Sequence, residues 1–389
     1  MRGSIRIGRI FGIPLTVNLS WLLILGLVVT TLATEAFPET FQGRPAWAQW
    51  ALAALTALIF FGSMVLHELG HSVVARRIGV PVRSITLFAL GAVAQTTRES
   101  RRASHEFWMA IAGPAVSLGL ALLFFLIWLA SGHDTGTVAG VSEWLFVMNL
   151  SVGIFNMIPA FPMDGGRVLR SVLWGVSGSH RRATRWASLV GRGIAFTAIG
   201  VGILVALRFP GVFEEMHPFN AVQFILLGLF INWAATQSDV HSGVLDILSR
   251  VRAGDAMLRD IPAALAQTTA AEALAGPSMG YGAAREWLLV SDGQRILGVA
   301  PRQALMAVPE EAAHSVPVGN LMIPAHRLRA VGPDETLSEV LQRMDAEEAP
   351  VFVVIDGGEV VGLLHRPMVM ARGVPAPRRQ AAADRPRRG

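Results

Sequence analysis

The sequence predicts a polytopic α-helical membrane protein of about six transmembrane helices, followed by a C-terminal cytosolic α/β unit. Three observations lead there. Apolar residues make up 52% of the 389-residue chain and charged residues only 16%, against about a quarter charged in soluble domains. Several apolar stretches approach the roughly 20 residues needed to cross about 30 Å of hydrocarbon. After Ser238 that character ends, and the sequence becomes mixed in composition and repeats itself.

In chain order, residues 4–18 alternate around Gly12-Ile13-Pro14 and read as a short hairpin. Arg2, Arg6 and Arg9 ahead of an apolar run imitate a secretory leader, but the alternation and the later spans point to a retained first span. The predicted spans are 15–34, 48–75, 107–130, 142–158, 188–208 and 219–236. Arg76, Arg77, Arg83, Arg98, Arg101 and Arg102 lie between spans two and three. Arg167, Arg170, Arg181, Arg182 and Arg185 lie between spans four and five. The alternate loops are acidic or nearly neutral, so the positive-inside rule places both termini in the cytoplasm of a cell whose plasma (inner) membrane holds the chain. The net charge of +5 is thus about orientation and implies no nucleic acid. The absence of Cys excludes disulfides, thiolate metal sites and thiol catalysis.

The expected organisation is a membrane domain over 1–238, a repeated unit over 239–372 and a disordered Arg/Pro-rich tail over 373–389. Within the repeated unit Asp255-Ala256-Met257 recurs as Asn320-Leu321-Met322, and Val290-Ser291-Asp292-Gly293 as Val354-Ile355-Asp356-Gly357, a period near 64. Each copy reads as helix, strand, Asp-Gly turn, strand, helix.

The chemistry concentrates in His67-Glu68-Leu69-Gly70-His71. Spacing of i and i+4 sets both imidazoles on one helix face, where they can hold Zn2+, with Glu68 placed to move the proton of an attacking water. The flank Leu52–Leu66 is nearly all apolar, and a lone charge there is costly, so Glu68 requires a compensating partner. A third ligand at position 77 is excluded because Arg77 stands there. His105 and Glu106 open the third span, where pairing at the membrane interface is the expected role. Asp164 is better placed. It lies in Asn156-Met157-Ile158-Pro159-Ala160-Phe161-Pro162-Met163-Asp164-Gly165-Gly166, and irregular backbone at membrane depth is tolerated only against protein or a wet cavity. A helix-capping Asp at the interface is the alternative. Asn156 is a candidate donor to the developing oxyanion or to substrate backbone, with helix capping as its other reading.

His67-Glu68-x-x-His71 in one span, with Asn156-x-x-Pro159 and Asp164-Gly165 in a later one, resembles the site-2 protease family of intramembrane metalloproteases. Six spans followed by a repeated cytosolic unit resemble the branch with C-terminal tandem CBS domains. The resemblance implies one zinc held by His67, His71 and Asp164, with Glu68 as general base and acid. It also implies a membrane-anchored protein substrate, such as an anti-sigma factor, cut in regulated intramembrane proteolysis. The family's membrane-dipping strand with its Gly pair corresponds to Leu87-Phe88-Ala89-Leu90-Gly91-Ala92, which keeps Gly91 and has Ala92 in the second place. It is an expected edge strand for unwound substrate with Gly91 as a binding candidate, and an ordinary connecting strand or loop is its other reading. Gly113-Pro114 matches a close-packing position of the family.

A CBS pair of this kind often binds adenine nucleotide through a hydroxyl and an Asp after the last strand's Gly. Here Gly298 precedes Val299-Ala300-Pro301, Gly362 precedes Leu363-Leu364-His365, and the Asp positions hold Ala304 and Met368. The expectation is therefore a structural role or a homodimer contact, with nucleotide sensing unsupported. Two other function classes fit parts of the sequence, a CBS-gated transporter and an inactive membrane scaffold. Neither explains a Glu between two His at metal spacing, and the membrane half lacks the inverted repeat of many transporters.

Overall fold

The computed structural model describes residues 4–88, 91–96, 100, 102–132, 136–208, 216–259, 261–276 and 286–373. Ala89, Leu90, Arg98, Arg101 and the tail from 374 onward lie outside them, and with them the expectations placed there. The chain forms two compact units, Met1–Ser242 and Gly243–Gly389.

The first unit opens with the hairpin β1 (Ser4–Ile10) and β2 (Ile13–Asn18). Its turn falls at Phe11-Gly12, both at positive φ (49° and 79°), which matches the right-handed twist of the paired strands. The first span therefore starts at Ser20, later than the apolar pattern suggested, because Ile13–Asn18 pairs as strand. That span joins α1 (Ser20–Thr31), a π turn (Leu32–Ala36) and α2 (Phe37–Thr40). The other crossing helices are α3 (Ala46–Arg77), α4 (Ala103–Ala130), α5 (Thr137–Asn156), α7 (His180–Ala206) and α8 (Pro218–Leu248). With the first span they make six helices long and apolar enough to cross a membrane among the described residues. Between α5 and α7 the short α6 (Asp164–Ser177) ends on Gly178, whose φ of +66° supplies a left-handed cap. The composition change at Ser238 falls inside α8, which continues unbroken to Leu248, so it does not mark a break in secondary structure.

Packing follows membrane rules, in which lipid is as apolar as Leu and close approach of small residues supplies the contact. A side chain at Gly70 of α3 would meet Ala112 O and Val116 Cγ2 of α4 at 2.9 Å. Gly202 of α7 and Gly228 of α8 are equally crowded, each by the other helix. Strands β3 (Val82–Phe88) and β4 (Gly91–Thr96) follow α3 and complete a sheet ordered β1-β2-β3-β4. Of the segment expected as an edge strand, Leu87 and Phe88 end β3 and Gly91 and Ala92 open β4, with Phe88 paired to Gly91, and β4 is one of the two outer strands of the sheet.

The second unit carries the repeat. The first copy contains α9 (Ala253–Ala256), β5 (Ala263–Leu265), α10 (Ala270–Ala275), β6 (Trp287–Ser291), β7 (Ile296–Pro301) and α11 (Arg302–Met306). After α12 (Glu310–Ala313), the second contains β8 (Ile323–Pro324), β9 (Arg329–Val331), α13 (Leu337–Glu347), β10 (Val351–Asp356), β11 (Glu359–His365) and α14 (Arg366–Arg372). Both hairpins, β6–β7 and β10–β11, shift register one residue before the Asp-Gly turn, at Val290/Ser291 and Val354/Ile355. Both preceding helices start with a capping box, Thr269 with Glu272 and Thr336 with Glu339.

The repeated Met explains the repeated Gly. Met257 of the first copy lies on Gly362 of the second, where an added Cβ would be 2.5 Å from its sulfur, and Met322 lies on Gly298 at 3.0 Å. Leu258 and Leu363 exchange backbone hydrogen bonds of 2.9 and 3.0 Å, and Trp287, Val299, Val351 and Leu363 share one buried cluster. Each copy thus closes the other's core.

His365 ends β11 buried, its ring 6.1 Å from that of Trp287 and its Nε2 without a hydrogen-bond partner. Burial holds its pKa below the ordinary histidine value, against a smaller upward pull from the Glu286 carboxylate. In the unfolded chain the ring titrates near about 6.5. The unfolded state therefore takes up the proton first as pH falls, and this group's contribution is full above that value and lost below it. The thermal midpoint of this unit in the full chain should drop more between pH 7.5 and 5.5 for wild type than for His365→Leu. Equal drops would exclude the assignment.

Candidate metal centre

The apolar run before Leu66 drives α3 to continue as helix through His67, Glu68 and His71, and i, i+4 spacing puts both imidazoles on the face toward α4. Pro159 and Pro162 end α5 and force the connection 157–163, after which α6 begins at Asp164. Gly165 and Gly166 let this turn close on itself, because a Cβ at either would strike the backbone of Met157–Phe161. The result brings His67, His71 and Asp164 together, all buried.

Their inward atoms form a near-equilateral triangle. His67 Nε2 and His71 Nε2 are 3.2 Å apart, and Asp164 Oδ2 is 3.2 and 3.1 Å from them. Tetrahedral ligands at zinc distances of about 2.0–2.1 Å stand roughly 3.3 Å from one another, so one such ion fits the set. The tautomers fit too. His71 Nδ1 lies 2.6 Å from the Met109 carbonyl, which can only accept, so Nδ1 carries the proton and Nε2 presents its lone pair. His67 Nδ1 lies 2.8 Å from Ser117 Oγ. Both partners belong to α4, which passes so near the triangle that Gly113 alone fits there: an added Cβ would lie 2.6 Å from His67 Nε2 and closer still to His71 Nε2. Three lone pairs converging at this range repel unless a cation or a proton lies between them. Among the described residues no other group of His, Asp and Glu is arranged to hold a metal ion.

Glu68 follows His67 on the helix, half-buried, and its Oε2 accepts a 3.0 Å hydrogen bond from the Ala94 N–H. Ala94 is paired across the sheet to Ile85 in outer strand β4, so this hydrogen bond joins the strand to the catalytic-motif helix α3. A cavity of about 810 Å3 joins these parts, lined by His67, Glu68, His71, Asp164, Asn156 and Ala92–Ala94 among others.

The remaining sequence candidates divide. Asn156 lines the cavity, and its side-chain amide donates to Val152 O at 3.0 Å within α5. Gly91 opens β4 at φ +127° against Met64, outside the cavity wall, and its neighbours Ala92, Val93 and Ala94 line it instead. Asp164 starts α6 but is buried, so capping at an exposed interface is not its setting. Glu106 forms an ion pair with Arg170 of α6 and is 2% exposed in the first turn of α4. Sequence reading missed Ser117, Met109 O and the Ala94 amide. Two of these act through backbone atoms, which carry no residue signature, and Ser in an apolar span is a weak one.

The chain is similar to known proteins over most of its length. The profile of Peptidase family M50 matches residues 55–137 and 130–198, which contain all of the triangle. A Synechocystis protein named as a candidate zinc metalloprotease is 35% identical over 375 residues, covering 95% of each chain. The solved Site-2 Protease from Methanocaldococcus jannaschii is 29% identical with a TM-score of 0.39, covering 61% of this chain and 95% of that one. The CBS domain of a bacterial CNNM/CorC family Mg2+ transporter matches 39% of this chain and 97% of its own, with 16% identity and a TM-score of 0.30. Near-full-length identity of this order, over a chain with six membrane-crossing helices and a His-Glu-x-x-His helix, places the protein in peptidase family M50 as a multi-pass membrane metalloprotease.

Proposed function

We propose that this metalloprotease holds one zinc ion through His67, His71 and Asp164 and hydrolyses peptide bonds within the transmembrane segments of membrane-anchored proteins. The observation that carries this reading is the triangle of donor atoms at 3.1–3.2 Å with Glu68 beside it at the edge of a strand. A zinc ion held by His67, His71 and Asp164 would supply Lewis acidity toward an attacking water and the scissile carbonyl. Glu68 takes the proton as the water oxygen bonds to the carbonyl carbon, then delivers it to the amine as the C–N bond breaks. Ser117 and Met109 O keep the imidazoles aimed inward throughout.

A transmembrane helix hides its peptide bonds, so the substrate must extend before it can react. Outer strand β4 offers backbone partners for such a strand, and a segment paired there lies beside Glu68. Asn156 of α5 lines the same cavity and is the candidate to steady the substrate carbonyl. The Arg-rich loops set both termini in the cytoplasm. Membrane-anchored regulators, anti-sigma factors among them, are the substrate class these features suit.

The test is a comparison of membrane proteomes between cells carrying wild type and Glu68→Gln, by quantitative mass spectrometry of intact and truncated chains. Single-span proteins or their stubs accumulating only in the variant would support the reading and name the substrates. Matching proteomes under several stresses would overturn it.

A further inference from the structure

We infer that the ion pair between buried Glu106 and part-buried Arg170 is a positioning device for the metal site, fixing how far the Asp164 helix stands from the two imidazoles; this rests on the zinc reading above. The two halves of the site have different supports. Both imidazoles are held from behind by α4, through Ser117 and Met109 O. Asp164 instead comes from α6, at the end of the Pro-broken connection. The triangle therefore keeps its 3.1–3.2 Å sides only if α4 and α6 keep their spacing.

Glu106 and Arg170 span that gap. Glu106 sits in the first turn of α4 and is 2% exposed, while Arg170 lies six residues after Asp164 on α6. Arg170 Nε donates to Glu106 Oε1 at 2.8 Å and Nη2 donates to the same oxygen. The guanidinium carbon also stands 5.4 Å from the ring centre of Phe161, in the connection against which Gly165 and Gly166 close. One side chain thus ties together α4, α6 and the turn that presents Asp164. A buried ion pair is a poor net source of stability, since desolvation offsets its attraction, but its directional hydrogen bonds define one spacing where apolar packing tolerates several.

The full chain, purified in detergent, is titrated with zinc against a fluorescent chelator, with the thermal midpoint of the zinc-free protein measured in parallel. Wild type should compete for zinc and Asp164→Asn should not; a wild type that fails to compete would sink the zinc reading itself. Given that competition, Glu106→Gln and Arg170→Gln should each bind zinc about 10–100-fold more weakly, the usual cost of losing an outer partner of a metal site. The double variant Glu106→Leu/Arg170→Met refills the volume with apolar atoms. It should recover the wild-type midpoint without recovering zinc affinity. Wild-type affinity in the single variants, or in the double variant, overturns the inference and leaves the pair a packing element only. Where the single variants do not fold, the double variant decides alone.

Discussion

Glu68→Gln should lower peptide hydrolysis by about 10²- to 10⁴-fold, the range general acid–base catalysis supplies, while zinc binding and helix content stay unchanged. The substitution is nearly isosteric. Glu68 donates no ligand atom to the triangle, which is built from His67, His71 and Asp164. A Gln side-chain oxygen can still accept the Ala94 N–H now held at 3.0 Å, so the helix and the strand edge keep their contact. What Gln cannot do is take a proton from water and return it to the departing amine. Single-turnover cleavage of a transmembrane-segment peptide in liposomes, with metal analysis of the same preparation, separates the two quantities. Cleavage within tenfold of wild type would remove Glu68 from the proton path. Loss of zinc together with activity would instead assign it to the ligand set.

Gly113→Ala should be the most damaging methyl group in the membrane unit. The new Cβ would lie 2.6 Å from His67 Nε2 and closer to His71 Nε2, where no carbon can be accommodated. Because α4 also holds both imidazoles through Ser117 and Met109 O, it cannot withdraw without releasing them. Zinc affinity should fall roughly 10–100-fold or more, with about 1–3 kcal/mol of stability lost to overpacking. Gly119→Ala is the control in the same helix, since nothing lies within 4 Å of a Cβ there. Helix propensity alone should make that variant neutral, or more stable by roughly 0.5–1 kcal/mol. Equal zinc binding by the two variants would mean that α4 does not constrain the imidazoles.

The membrane fold was legible because hydrocarbon imposes a length and a composition on each span, and those survive in a one-dimensional reading. All six crossing helices were visible that way, although the first was placed too early, since Ile13–Asn18 is as apolar as a helix start yet pairs with β1 and β3. The repeat was legible as recurring Met and Gly, but its reason was not: Met257 covers Gly362 and Met322 covers Gly298 only once the copies interlock. In the site, side-chain chemistry with fixed local spacing was readable, as in His67, Glu68 and His71. Asp164 was reachable because prolines at membrane depth demand an explanation.

By itself, then, the sequence determined the six-span class, the repeated unit and the donor atoms, all of which follow from local periodicity and residue chemistry. Tertiary structure alone decided which oxygen and carbonyl steer the imidazoles, that Glu106 is buried against Arg170, and that the Ala94 amide and the edge of β4 meet Glu68. These depend on backbone groups and on contacts 26 to 64 residues apart in the chain, and residue type encodes neither.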